Sequence, residues 1–406
     1  MKRIRVGLGL LSLSLFLMTG CAKQSPLAPQ PSLSARAATA AAAPNSIAKT
    51  AGAATVLGDI GPGAHYALFR PADWNGSLVL YIHGYVEPDA AVALPDDPAL
   101  LALRSFLLAQ GFAVAYSSFS QNGLAVEDGA LWSAQVCRIF ASKLGSPRRT
   151  FLVGTSMGGL IAVMMAEKHP ELYTAALPMS GIVGGTRKTV DYHANVRVLF
   201  DAFYPGVLPG SLLELPSGLD VNRDIVLPAV AAMQANPQGA LAMSQIVQTP
   251  IPFSNGAELL GSIAQSLVFQ ALELEDLLDR THGHSFFENR ATVYTGALPP
   301  ELLADLNARV ARYGRAPDAD AFLERGYEPS GRLSIPVLTL HAALDPVAPV
   351  FLESAYHDRV ASAGRLGFLA QRQVVSYGHY MFPPSVIEAA FEDLVHWVDT
   401  GSKPSS

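Results

Sequence analysis

A serine bracketed by glycines offers the clearest chemistry in this chain: Gly154-Thr155-Ser156-Met157-Gly158-Gly159. A serine hydroxyl is a weak nucleophile at neutral pH. It needs a base within hydrogen-bond reach, a third group to orient that base, and donors for the oxyanion that its attack creates. Thr150-Phe151-Leu152-Val153 reads as a buried strand running into Gly154, and Leu160 to His169 as a helix ended by Pro170. A serine between the two must sit in a sharp turn, and glycines two places either side let the strand and helix backbones approach. Alone, the pentapeptide also fits a glycine-rich turn with a harmless serine. The flanking strand and helix give it weight.

The other parts can be nominated. The amide of Met157 opens the helix, where donors lack an intrahelical acceptor, and is one oxyanion candidate. The second is the amide of Tyr85, in His83-Gly84-Tyr85 directly after the apolar run Leu78 to Ile82. His83 is expected to pack rather than to act as base. The acid candidate is Asp345, a short turn beyond the strand Pro336 to Leu340; a carboxylate at the C-terminal edge of a parallel sheet faces a site there. A turn or capping role before Pro346 is the alternative, and Asp358 and Glu353, within a helix, are weaker candidates. Of ten histidines, His379 alone stands in a loop straight after a late strand, in Tyr377-Gly378-His379-Tyr380. His357 and His396 fall in helices, and His282 and His284 in an inserted region.

These positions need a scaffold, and the pattern supplies one. Strands are predicted at Ala67 to Arg70, Leu78 to Ile82, Phe112 to Tyr116, Thr150 to Val153, Ala175 to Met179, Pro336 to Leu340 and Gln373 to Ser376. Helices are predicted at Leu100 to Gln110, Ala130 to Leu144, Leu160 to His169, Phe351 to Ala361 and Ser385 to Val398. Such alternation predicts an α/β fold, a mostly parallel sheet with helices on both faces. Between about residues 186 and 333 the alternation stops. Proline-rich helical runs, among them Leu272 to Leu278 and Glu301 to Tyr313, predict a mainly helical cap inserted into one sheet domain. Phe200, Phe203, Tyr204, Phe253, Phe286 and Phe287 are the cap aromatics that could line a pocket, though more of them are expected in the cap's own core.

The chain order Ser156, Asp345, His379 is that of the α/β-hydrolases and differs from those of chymotrypsin and subtilisin. From about Thr55 to its C-terminus the chain resembles bacterial α/β-hydrolases of the serine esterase and lipase kind, through His83-Gly84, Gly154 to Gly159, Asp345-Pro346 and Gly378-His379. The stretches Pro71 to Tyr85 and Ser117 to Gly123 also look like a subgroup of secreted or lipoprotein hydrolases. The resemblance implies a cofactor-free enzyme that cleaves carboxylic esters through an acyl-enzyme intermediate. It implies no particular substrate, small molecule or polymer, because the fold hosts many chemistries. Two other readings stay open. A peptidase of the prolyl-oligopeptidase type would want a propeller-length N-terminal region and a carboxylate pair in the cap, and neither is evident. A non-catalytic surface lipoprotein retaining the fold would not need the Ser-Asp-His set.

Met1 to Arg5 carry Lys2, Arg3 and Arg5, and Val6 to Met18 are almost wholly apolar or small, the layout of a signal peptide. The run falls short of the roughly 20 residues that span a bilayer. Leu17-Met18-Thr19-Gly20-Cys21 resembles a bacterial lipoprotein lipobox, which implies acylation of Cys21, export and a lipid anchor. By the same resemblance, the lack of Asp at position 22 favours the outer membrane where the host has one. An ordinary signal peptide with an incidental cysteine is the alternative. Residues 22–54, rich in Ala, Pro, Ser, Gln and Thr, read as a flexible tether, which leaves 55–406 as the hydrolase domain. Cys137 then has no disulfide partner and is expected to be a buried thiol on a helix. With 50% hydrophobic residues, 15% charged and a net charge of −6, the chain can bury a sizeable core and shows no basic footprint for nucleic acid. His282-Gly283-His284 near Glu288 reads as polar cap surface rather than a metal site, and Gly181 to Gly185 lacks the Lys-Ser/Thr of a phosphate loop.

Overall fold

The computed structural model describes residues 46–50 and 52–405. The predicted signal peptide, Cys21 and most of the tether lie outside the described residues. Nine strands form one sheet. In chain order they are β1 (Ser46–Thr50), β2 (Ala53–Ile60), β3 (Ala64–Arg70), β4 (Ser77–Ile82), β5 (Ala113–Ser117), β6 (Arg149–Thr155), β7 (Ala175–Met179), β8 (Val337–Leu344) and β9 (Leu369–Tyr377). Their spatial order is β1-β2-β3-β5-β4-β6-β7-β8-β9. The pairings of β1 with β2, β2 with β3 and β3 with β5 are antiparallel, and every pairing from β5 across to β9 is parallel.

The helices α1 (Pro98–Ala109) and α11 (Pro384–Thr400) cover one face, and α2 (Val126–Leu144), α3 (Met157–Lys168) and α10 (Phe351–Ser362) cover the other. The period-2 alternation of a strand divides the central residues between the two cores. On β4, Leu78, Leu80 and Ile82 join the core under α2 and α3, while Val79 and Tyr81 join the core under α1 and α11. On β6, Leu152 goes to the first and Phe151 and Val153 to the second. Because both faces are covered, β4, β5, β6 and β7 are buried at every position but Arg149, which is why they read as continuous apolar runs.

The sheet begins earlier than the composition suggests. The tether was expected to run flexibly to residue 54, but Ser46 to Thr50 pair in register with Leu57 to Ala53, and β2 was not predicted at all. Small and polar residues form strands here because the ladder satisfies their backbones, with Ala54 and Val56 facing the core. Between β7 and β8 the chain makes the cap: α4 (Thr186–Phe203), α5 (Leu227–Ala235), α6 (Pro237–Ser244), α7 (Gly256–Arg280), α8 (Pro300–Arg309) and α9 (Pro317–Arg325). Among the described residues the cap holds no strand, only two isolated bridges, Ser211 with Glu214 and Ile246 with Gly296. No helix of the described residues is long and apolar enough to cross a membrane.

One carboxylate ties the cap's return to the sheet. Glu167, near the end of α3, accepts from the Tyr327 hydroxyl at 2.7 Å and from the Ser330 amide and hydroxyl at 2.7 and 2.6 Å. Its other oxygen accepts from the Gly331 amide at 2.9 Å and the Tyr356 hydroxyl at 3.1 Å. Removing it would strand those donors together. Glu167→Ala is expected to lower stability by about 3 kcal/mol, read from urea unfolding; a loss below about 0.5 kcal/mol would show the junction is held by packing alone.

Candidate active site

Sheet register places two of the three nominated residues. The parallel ladder between β8 and β9 ends at the pair Leu344 and Tyr377. Asp345 follows the first directly, and His379 follows the second by two residues. β8 extends four residues further than predicted, so Asp345 stands at the strand's tip rather than beyond a turn. His379 Nδ1 lies 2.8 Å from Asp345 Oδ2. Asp345 Oδ1 accepts the amides of Val347 and Ala348, both at 2.9 Å. The turn role weighed for Asp345 is thus real and coexists with the histidine contact, one oxygen serving each.

Ser156 stands between β6 and α3, at φ 54° and ψ −121°. That is left-handed backbone for a residue with a side chain, a conformation that costs free energy and persists only where its surroundings enforce it. Its amide donates to Met179 at the end of β7, and its carbonyl accepts from Ile182. A Cβ on Gly158 would lie 2.1 Å from the Ile82 carbonyl oxygen, and one on Gly154 2.1 Å from that of Gly158, so neither position has room for any side chain. A Cβ on Gly84 would come within 3.1 Å of the Ser156 Cβ, which sets the loop after β4 directly against the serine. Met157 is the first residue of α3, and Tyr85 borders the same cavity as Ser156. Among the described residues no hydrogen bond joins Ser156 Oγ to His379. Phe269, which lines the cavity together with Ser156, meets the His379 ring edge-on at 6.1 Å.

That combination of strand order and strained strand-to-helix elbow decides the architecture. The chain has an α/β-hydrolase fold. The Esterase family model, described as "Putative esterase", matches residues 135–227, which run from the second half of α2 through the elbow to the start of the cap. No curated protein matches the sequence. Solved structures similar to the chain include feruloyl esterase B from Aspergillus oryzae, at 13% identity and TM-score 0.47, covering 87% of this chain and 82% of that one. Candida antarctica lipase A is similar at 12% identity and TM-score 0.46, covering 88% and 80%. Mouse alpha/beta hydrolase domain-containing protein 10 is similar at 13% identity and TM-score 0.40, covering 86% and 99%. The strand order and the elbow, not these distant likenesses, define the hydrolase fold here.

The cavity at Ser156 is small, about 20 Å³, which is room for about one water molecule. Its walls come from the loop after β4, the start of α3, and the cap helices α4 and α7. None of the six cap aromatics that could have lined a pocket lines this one, in keeping with the expectation that most belong to the cap's own core. Phe200, Tyr204, Phe286 and Phe287 are buried in the cap core, and Phe203 and Phe253 pack against that core. The aromatic wall is Tyr85 and Phe269 instead, and the polar wall includes His193 and Glu273. Sequence reasoning missed Phe269, His193 and Glu273; for Phe269 the signal was the 25-residue amphipathic run of α7, of which it recognised only the stretch from Leu272 to Leu278.

His83 is buried, stacked on Phe119 at 3.8 Å, with Nδ1 2.8 Å from the Gly84 carbonyl; burial lowers its pKa. His284 pairs with Asp318 on the cap surface, and no cluster of three or more metal-ligating side chains occurs among the described residues. Cys137 is free on α2, and burial pushes its thiol up to about 12.

Glu353 proves to be part of the site's foundation. It is buried at the start of α10, 3.2 Å from His341 Nδ1, and accepts from Thr339 and Gln371. His341 in turn donates from Nε2 to the Ala348 carbonyl at 2.6 Å and lies 4.0 Å from Asp345. Burial opposes charge on Asp345, yet the His379 charge and hydrogen bond, with His341 and the Ala348 amide, hold its carboxyl below the ordinary value. Burial likewise opposes charge on His341, yet Glu353 and then Asp345 hold it above the ordinary value. A raised folded value means that protonated His341 stabilises the fold, fully below the unfolded value near 6.5 and no longer once pH rises through the folded one. His341→Gln is therefore expected to cost more stability at about pH 6 than at about pH 9, read as a narrowing gap between urea midpoints. A gap independent of pH would contradict the assignment.

Proposed function

We propose that the chain is a serine hydrolase acting on carboxylic esters, with Ser156 as nucleophile, His379 as base and Asp345 as its orienting acid. The observation that carries this reading is the strained Ser156 backbone at a cavity, on a sheet whose register sets an Asp345–His379 pair at the same edge. In the proposed cycle Ser156 Oγ attacks the ester carbonyl as its proton passes to His379 Nε2. The amides of Met157 and Tyr85 hold the oxyanion. His379 then gives the proton to the departing alkoxide, leaving an acyl-serine. Water repeats the sequence and frees the acid, and Asp345 keeps the imidazole oriented throughout. The match of residues 135–227 to an esterase family model agrees with an ester rather than an amide as substrate.

Ser156→Ala is expected to abolish turnover of a short p-nitrophenyl ester and labelling by a fluorophosphonate, with the variant folded by circular dichroism. Retained turnover would sink the proposal. We also propose, from the sequence, that the chain is exported and acylated at Cys21. Cells fed radiolabelled palmitate should incorporate label into the full chain and not into Cys21→Ala; equal incorporation would rule out this anchor.

A further inference from the structure

The cavity beside Ser156 is mostly apolar, with Leu124, Met157, Ile182, Val190, Phe269 and Val347 in its wall. Besides Ser156 and the hydroxyl-bearing Tyr85, Thr186 and Thr189, its polar lining is one buried acid–base pair: His193 from α4, 1% exposed, and Glu273 from α7, 6% exposed. His193 Nδ1 lies 3.0 Å from Glu273 Oε2, and Nε2 lies 3.0 Å from the Val347 carbonyl oxygen. A carbonyl can only accept, so Nε2 carries a hydrogen. Nδ1 and Oε2 then share one further proton. Whether it rests on the ring or on the carboxyl, the pair is neutral overall. Glu273 Oε1 receives no hydrogen bond from the described residues and keeps surface open to solvent-sized space, so a water or a ligand hydroxyl can donate to it.

The cavity belongs to the acyl half of a substrate. Met157 and Tyr85, whose amides hold the oxyanion in the proposed cycle, line it, and His379, which must meet the departing alcohol, is not among its lining residues. We propose that Glu273, oriented by His193, receives the hydroxyl of a hydroxyacyl ester, so that hydroxy-acid esters are the substrate class. This rests on Ser156 being the ester-cleaving nucleophile. A hydroxyl suits the site better than an ammonium. The pair already cancels its own charge, and an added cation would be left uncompensated among apolar side chains. A plain alkyl chain would displace water and leave Oε1 without a donor as α4 and α7 yield to admit it.

The test is kcat/KM for four methyl esters: butyrate, 2-hydroxybutyrate, 3-hydroxybutyrate and 3-aminobutyrate. The wild-type protein is expected to favour at least one hydroxy ester over butyrate by about tenfold or more, and the amino ester no more than butyrate. Glu273→Leu should bring the hydroxy-to-butyrate ratio near one, while Glu273→Gln, which keeps an accepting oxygen, should retain most of it. Absence of any hydroxyl preference in the wild type, preference for the amino ester, or equal losses on all four esters in Glu273→Leu would overturn the proposal. Should that variant not fold, the wild-type ratios decide. Fluorophosphonate labelling separates the two ways of failing. A labelled Ser156 without hydroxyl preference defeats this proposal alone, whereas an unlabelled Ser156 with no ester turned over defeats the hydrolase reading as well.

Discussion

Gly158 lies so close to the end of β4 that a side chain on it would overlap the carbonyl oxygens of Ile82 and His83, at 2.1 and 2.5 Å from its Cβ. That backbone-to-backbone contact governs the rest of the site. It seats the first turn of α3 on the sheet, and the seating forces the chain to reverse at Ser156 within a single residue. The reversal gives Ser156 its left-handed φ and sets it at the cavity that the cap helices α4 and α7 also line. It also brings the loop after β4 against the serine, so that Met157 and Tyr85 border one cavity with it. Strain at one residue is offset by the buried packing of α3, ten of whose twelve residues are buried.

How much of this could be read from the residues varies with what each element must satisfy. The central strands were legible because covering both faces demands apolar side chains at nearly every position, and such runs stand out. The elbow was legible because only glycine permits its contacts. Strand β2 was not: its burial alternates along most of Ala53 to Ile60, and five of its eight positions are small, polar or charged. Strand β1 was hidden further, since Ser, Ala, Lys and Thr announce no core, and it forms by pairing with β2 alone. The extension of β8 through His341 escaped because a histidine, two alanines and a leucine resemble a turn approach as much as a strand.

The cap was legible as helical and little more. Its helices pack on one another and on the sheet, so a phenylalanine there has several apolar places to go, and nothing in its spacing says which. Phe200 and Phe287 went to the cap core and Phe269 to the cavity. The polar part of the wall was hidden for a different reason. His193 and Glu273 are 80 residues apart, and neither belongs to any motif; only the packing of α4 on α7 makes them a pair. The same holds for the ring of contacts behind Asp345, where His341 and Glu353 come together from a strand and the following helix.

One peptide unit beyond Asp345 has a wider consequence. The amide of Val347 donates to the Asp345 carboxylate, and the carbonyl of the same residue accepts from His193 in the cap. The next carbonyl upstream, that of Pro346, accepts from Ser266 on α7 at 2.9 Å. The loop that carries the acid is thus gripped by two cap helices as well as by the sheet. A displacement of α4 must either part its bond to Val347 or drag that residue, and the acid's amide donor with it. A shift of α4 that enlarges the cavity is thereby coupled to the carboxylate beside His379: room in the pocket and the setting of that charge move in series.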